Sequence, residues 1–164
     1  MNSPFHVLGI SETRENYSSG FKMNINNLDG YILHSQPSRP AAGGVAIYTR
    51  HTLNAFKRTD LSTTDDEFET IWVEIVNTKA KNILCCCAYR HPSISPVRFK
   101  EHLESTLSQL TSENKSIFIM GDFNINLLNC ESHAESNDFL LMLNSFFFYL
   151  ISYNQHVLLK DQQP

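Results

Sequence analysis

Short apolar runs separated by turn-forming residues constrain the fold of this chain more than any other feature of its sequence. Each run has the length of a β-strand, and most are rich in Val, Ile or Tyr, which suit a pleated sheet. Turn signals such as Leu28-Asp29-Gly30 lie between the runs. The sequence therefore predicts a sheet-rich α/β protein with few helices. The predicted strands are residues 5–10, 30–34, 44–48, 71–76, 83–89 and 117–120.

Two segments have the apolar spacing of helices instead. The first begins at Ser95-Pro96, and its apolar residues recur at intervals that place them on one helix face. The second covers residues 135–147 and overlaps the longest apolar stretch, 139–151. That stretch is shorter than the roughly 20 residues of a membrane-spanning helix, so we expect a core helix that continues into a strand or loop. The apolar positions of the first helix are Phe99, Leu103, Leu107 and Leu110.

Length and charge limit the organisation and the partners of the chain. Its 164 residues suit one globular unit, which we expect to span residues 1–151 and to be followed by a polar tail, 152–164. We expect the polar, acidic segment 59–67 to be a solvated loop. The net charge of -4 argues against a broad basic surface that grips nucleic acid. It does not exclude an enzyme whose carboxylates hold a cation against a phosphate.

The cysteines and the N-terminal segment indicate a cellular setting. Cys85, Cys86 and Cys87 are consecutive inside an apolar run, which is the spacing of neither a zinc site nor a disulfide framework. We expect them to be small buried side chains in a reducing compartment. No basic segment followed by a long apolar run opens the sequence. These features predict an intracellular protein, nuclear or cytoplasmic, that is neither secreted nor bound to a membrane.

The segment with the most chemical content is an apolar strand, 116–120, followed by Gly121-Asp122-Phe123-Asn124. In an extended backbone, Asp122 and Asn124 project to the same side because strand side chains alternate. A carboxylate and an amide delivered together to one point could hold a phosphate and its attacking water. The alternative is an ordinary turn after a strand, in which Asp and Asn are common.

Gly121-Asp122-Phe123-Asn124 resembles the hallmark of the endonuclease/exonuclease/phosphatase superfamily, which includes DNase I and the endonucleases of LINE-type (non-LTR) retrotransposons. Three further segments resemble parts of that family and follow its order, and the resemblance as a whole spans residues 5 to 151. Residues 7–13 resemble the strand that ends in a metal-ligating Glu, here Glu12. Residues 87–93 resemble the strand that ends in an active-site Tyr, here Tyr89. Residues 39–48 resemble the Gly-Gly-Val strand of retrotransposon endonucleases, and Arg39 lies at its start.

The resemblance implies a fold and a set of residue roles. The fold is a four-layer α/β/β/α sandwich of the DNase I type, with mixed and largely antiparallel sheets and outer helices. Glu12 would hold Mg²⁺, with Mn²⁺ as an alternative ion, and Asp122 would orient or deprotonate the attacking water. Asn124 would also be catalytic and would position the water with the phosphate, and Tyr89 would help to hold the phosphate or to orient the nucleophile. Arg39 would contact a DNA phosphate, although a solvated loop arginine is the alternative.

Several parts of the family pattern are not found in this sequence. Arg14 stands where the retrotransposon branch has Trp, and none of the seven histidines lies in the family's Ser-Asp-His triplet. The opening strand with its Asn and the closing strands with further Asp residues are also absent. We therefore expect a partial sandwich without its C-terminal portion, with weak or no activity on DNA. Missing segments or a partner chain would cover its exposed sheet.

Two other functions remain compatible with the sequence. The same motifs occur in superfamily members that act as phosphatases or phosphodiesterases on small or lipid phosphates, so the fold alone does not identify the substrate. The other alternative is a non-catalytic fragment that folds with a partner.

Overall fold

A computed structural model describes residues 4–15, 28–39, 43–127, 133–153 and 156–161. The strands among these residues are β1 (Val7–Ser11), β2 (Tyr31–Gln36), β3 (Val45–Arg50), β4 (Ala55–Lys57), β5 (Thr63–Thr64), β6 (Phe68–Ile75), β7 (Ile83–Arg90), β8 (Ser116–Asp122), β9 (Phe148–Tyr153) and β10 (His156–Asp161). The helices are α1 (Val97–Leu110) and α2 (Ala134–Ser145), and a 3-10 turn covers Thr111–Glu113.

The strands form two sheets of unequal size. The small sheet has the order β1-β3-β2 and is antiparallel. The large sheet has the order β4-β6-β7-β8-β10-β9, and β5 also pairs with β6. Its one parallel pair among the described residues is β7 and β8. These strands can be parallel because α1 lies between them in the sequence and returns the chain to the end of the sheet at which β7 began. The expected mixed, largely antiparallel arrangement is confirmed.

Alternation of side chains along β7 divides the core into two layers. Cys85, Cys87 and Tyr89 lie between the two sheets, against Val45 and Ile47 of β3. The intervening residues face the opposite way, toward the helices. Burial raises the pKa of the Cys85 and Cys87 thiols to about 12, so these side chains stay protonated at neutral pH. The prediction that these cysteines are small buried side chains is confirmed.

Both described helices pack on the outer face of the large sheet. Helix α1 begins after Pro96, and its predicted apolar stripe is buried against β7 and β8. It ends in the 3-10 turn, where Asn114 adopts a left-handed backbone conformation with φ 47°. Helix α2 adds Phe139, whose ring stacks on Phe99 at a centroid distance of 5.7 Å. The described residues thus form three layers, and the fourth layer of the expected sandwich stays a prediction.

The structure differs from the sequence-based expectation in two segments. Residues 59–67 are not simply a solvated loop, because Leu61 is buried and β5 pairs with β6. For residues 152–164 the sequence predicts a polar tail, yet His156–Asp161 is a strand that joins β8 to β9. The physical reason is the apolar run Val157-Leu158-Leu159, which suits a place inside a sheet. Sheet pairing therefore continues beyond residue 151.

No helix in the described part of the chain has the length and apolar character needed to cross a membrane.

Candidate active site

The candidate site lies where strand ends from both sheets meet. β7 and β8 are parallel, so their carboxyl ends lie at the same edge, and Tyr89 is the register partner of Asp122. Glu12 follows directly after β1 of the other sheet, which packs across this edge. Three residues far apart in sequence therefore reach one region because two sheet edges coincide there.

A hydrogen bond joins the two sheets at this point. The Tyr89 hydroxyl donates to Glu12 Oε1 over 2.7 Å, although the two residues are 77 positions apart. Burial raises the pKa of Tyr89, and its hydrogen bond to Glu12 and the nearby charges of Asp122 and Glu69 raise it further. The hydroxyl therefore stays protonated at neutral pH and acts as a donor. In this structure it is directed at the carboxylate that the sequence predicts as the metal ligand.

Two of the predicted site residues have unusual backbone conformations. Glu12 has φ 55° and Asn124 has φ 49°, in the left-handed region that L-residues other than Asn and Asp seldom adopt. The conformation is strained for Glu12, and strained residues concentrate at functional sites, where the surrounding structure holds them in place. Asn124 adopts it more readily because it is an asparagine. Directly after Glu12, two backbone hydrogen bonds join the chain to the Gly43-Gly44 segment: Thr13 N donates to Gly44 O, and Arg14 N donates to Gly43 O. The Gly-Gly segment thus supports the turn that presents the Glu12 carboxylate.

Asp122 and Asn124 form a compact turn after β8. The Asn124 backbone N–H donates to Asp122 Oδ1 over 3.1 Å, and the Asn124 side-chain amide donates to the Arg90 carbonyl over 2.7 Å. Both residues are exposed at the sheet edge. The turn expected as the alternative to a functional site is therefore present, and it places Asp122 beside Tyr89 and the Asn124 side chain against the Arg90 backbone.

Arg39 is not joined to this group by any contact among the described residues. Its guanidinium lies 3.9 Å from the Asp66 carboxylate, and both side chains are largely exposed. This is a loose surface ion pair of a kind that contributes little to stability. The role of Arg39 in contacting DNA stays a prediction.

Sequence analysis missed a buried acid beside the site. The side chain of Glu69 is fully buried, and Glu69 is the register partner of Tyr89 on β6. Its Oε1 atom lies 3.5 Å from His91 Nε2, and the His91 ring packs edge-on against Tyr89 at 5.0 Å. The available signal was a Glu inside an otherwise apolar strand that ends opposite Tyr89, since glutamate is seldom fully buried without a partner.

Glu69 should give the stability of the protein a measurable pH dependence. Burial raises its pKa to about 7, the nearby Asp65 adds to the rise, and the Gly44 backbone amide opposes it. Between about pH 4.5 and 7 the folded protein holds a proton that the unfolded chain releases. The free energy of unfolding should therefore fall as pH rises through this window, by up to about 3 kcal/mol from this group.

Glu69→Gln removes that titration, so the free energies of unfolding of variant and wild type should diverge as pH rises from 4.5 to 7. Urea unfolding at several pH values measures this difference. The comparison is needed because His91 contributes in the opposite sense: burial lowers its pKa, so its contribution to stability grows as pH rises. Parallel pH profiles for the two proteins would contradict the assignment.

The donor set at this edge suits a hard divalent cation. Glu12 and Asp122 supply exposed carboxylates, and Asn124 adds an amide oxygen. Mg²⁺ is commonly held by one or two carboxylates together with water and substrate phosphate, so it does not need a complete protein cage. Within the described residues no three His, Cys, Asp or Glu side chains are arranged as a metal site. Carboxylate and amide oxygens of this kind suit Mg²⁺ better than zinc.

Comparison with known proteins identifies the family of this architecture. Residues 2–148 match the Endonuclease/Exonuclease/phosphatase family. No curated protein matches at a significant level. Solved structures share the fold at low sequence identity, among them the following three.

The endonuclease domain of TRAS1, a telomere-specific non-LTR retrotransposon, is 14% identical with a TM-score of 0.65, over 82% of this chain and 68% of that one. The human Nocturnin catalytic domain, with bound sulfate, is also 14% identical with a TM-score of 0.60, over 96% of this chain and 69% of that one. The 3' phosphatase NExo from Neisseria, bound to a product DNA hairpin, is 11% identical with a TM-score of 0.58, over 98% of this chain and 78% of that one. Because the family match extends over most of its residues, this chain belongs to the endonuclease/exonuclease/phosphatase family.

Proposed function

We propose that this chain is a Mg²⁺-dependent phosphodiesterase that cleaves DNA at a low rate, with Glu12, Tyr89, Asp122 and Asn124 as its site residues. The observation that carries the proposal is the hydrogen bond of 2.7 Å from Tyr89 to Glu12, with Asp122 beside Tyr89 in the β7–β8 register. Members of the family typically use a divalent metal. A carboxylate fixed in this way, at the edge where a second carboxylate emerges, is suited to that chemistry.

Each residue has a role that follows from its contacts. Glu12 would hold the cation, and Tyr89 orients the Glu12 carboxylate by donating to one of its oxygens. A divalent cation bound there supplies positive charge that stabilises the charge developing on a phosphate. Asp122 is exposed and accepts one hydrogen bond from the Asn124 backbone, which leaves carboxylate capacity to orient or deprotonate water. Asn124 has its own amide fixed to the Arg90 carbonyl, so it can present its oxygen to the same region.

DNA as the substrate is supported by the relatives that share the fold. NExo was solved with a product DNA hairpin, and TRAS1 is described as a retrotransposon endonuclease. These likenesses support the fold directly and the substrate only by analogy. In its most specific form, the proposal is that this chain derives from the endonuclease of a non-LTR retrotransposon.

The test is nicking of supercoiled plasmid by the purified chain in Mg²⁺. We expect slow conversion to the open circular form, complete loss of conversion when EDTA removes the metal, and recovery when Mg²⁺ is restored. A parallel assay with a small phosphate monoester separates a nuclease from a phosphatase of the same family. Hydrolysis of the monoester without nicking would overturn DNA as the substrate, and a folded chain inactive on both would overturn the proposed activity.

A further inference from the structure

One buried arginine connects the two loops that form the candidate site. Arg90 is the last residue of β7, directly after Tyr89, and only 3% of its surface is exposed. Its guanidinium donates to four backbone carbonyls in two different loops. Within the loop after β8 these are Phe123 O, at 2.7 Å from Nε, and Asn124 O. Within the loop after β7 they are His91 O, at 3.0 Å, and Ile94 O.

The contact between Arg90 and Asn124 is reciprocal. The Arg90 side chain binds the Asn124 carbonyl, and the Asn124 side-chain amide donates back to the Arg90 carbonyl over 2.7 Å. Asn124 has the left-handed backbone conformation described above, with φ 49°. Asparagine adopts this conformation more readily than most residues, and surrounding contacts fix it in place here. Arg90 supplies such contacts on both sides of Asn124, by donating to the Phe123 carbonyl before it and to the Asn124 carbonyl after it.

We propose that Arg90 is a positioning residue for Asn124: its guanidinium holds the Asp122–Asn124 turn against the loop that follows Tyr89. The inference rests on the proposed function, because it assigns Arg90 a role in the same site. Arg90 does not contact a substrate, since its side chain is buried and its donors are directed at carbonyls. It acts through the backbone of the residue it holds.

The chemistry of arginine is specific to this task. A planar guanidinium has five N–H donors in a fixed fork and remains charged when buried, whereas a lysine ammonium is a compact point charge. Lysine at position 90 could keep the charge near Asp122 but could not span carbonyls on two loops. The variant Arg90→Lys therefore separates the geometry of the clamp from its charge.

The experiment combines a kinetic cycle with hydrogen exchange. Plasmid nicking is measured for wild type, Arg90→Lys, Asn124→Ala and the double variant. If Arg90 acts through Asn124, Arg90→Lys should reduce kcat about tenfold to a hundredfold with little change in KM. In the Asn124→Ala background the same substitution should have a much smaller effect, because residues that act as a unit are not additive.

Hydrogen exchange measured by NMR gives a readout that needs no activity. The Asn124 backbone and side-chain amides should exchange about tenfold or more faster in Arg90→Lys than in wild type. Arg58→Lys is the matched control. Arg58 is also largely buried and multiply bonded, to Asp60, Glu74 and Glu113, but it lies at the opposite end of the large sheet. It should lower stability without changing Asn124 exchange.

The two arms separate the possible failures. Inactive wild type with faster Asn124 exchange in Arg90→Lys would overturn the proposed function and support the clamp. Unchanged Asn124 exchange in folded Arg90→Lys would overturn the clamp. If Arg90→Lys lowered kcat equally in the wild-type and Asn124→Ala backgrounds, Arg90 would act by another route, and the clamp would also be overturned.

Discussion

Asp122→Asn is expected to lower kcat for plasmid nicking by about a hundredfold to ten-thousandfold, the range typical of losing a general base. The substitution keeps the size of the side chain. It also keeps the Oδ1 acceptor, which in the wild type lies 3.1 Å from the Asn124 backbone nitrogen. The turn should therefore persist while the carboxylate charge disappears. The loss would then report on the chemistry of Asp122 rather than on its structural role.

The measurement is the initial rate of nicking at saturating plasmid and Mg²⁺, accompanied by an unfolding curve for each protein. Asp138→Asn is the matched control, because Asp138 is an exposed carboxylate on α2 that forms only a loose pair with Lys100 at 3.9 Å. The control should nick at the wild-type rate. If Asp122→Asn kept its activity within about threefold of wild type, the general base would have to lie elsewhere.

Glu12→Gln should behave differently, and the difference distinguishes the two carboxylates. An amide can still accept the Tyr89 hydrogen bond at 2.7 Å, but it is a poorer ligand for a hard cation. The variant should need a higher Mg²⁺ concentration for half-maximal nicking, whereas Asp122→Asn should remain slow at any Mg²⁺ concentration. This contrast makes the proposed division of roles between the two acids testable.

The parts of the site that sequence could predict are those carried by strand ends. Glu12, Tyr89 and Asp122 each end or directly follow an apolar run, so local pattern and family resemblance point to them. Their convergence follows from topology. The parallel pairing of β7 and β8 aligns Tyr89 with Asp122, and the packing of the small sheet brings Glu12 to the same edge.

The parts that sequence could not predict depend on contacts between distant segments. No local pattern shows that Arg90 binds carbonyls in two loops or that the buried Glu69 carboxylate lies against Gly43. Short strands also escape recognition from sequence. β4 and β5 have three and two residues, too few to show the alternation of apolar and polar side chains that marks a strand. The pairing of β10 was missed for another reason, because its apolar run is short and lies among polar neighbours that favour a tail.

Gly121→Ala should lower the free energy of unfolding by at least about 3 kcal/mol, a large part of the 5–15 kcal/mol typical of a domain. A Cβ at this position would lie 1.9 Å from the Ala88 carbonyl oxygen and 2.8 Å from the Ala88 nitrogen. Those are backbone atoms of the paired strand β7, so no side chain can move away to relieve the overlap. The φ of 133° adds strain of its own for any residue with a Cβ.

Gly30→Ala separates the two contributions. Gly30 also has a positive φ, 85°, but a Cβ there would meet only the His51 ring, at 3.6 Å. It should cost about 1–2 kcal/mol, the penalty of the backbone conformation alone. Urea unfolding of both variants gives the comparison. Equal losses would show that β7 and β8 can separate locally at no cost, and the tight register that places Asp122 beside Tyr89 would then not depend on glycine.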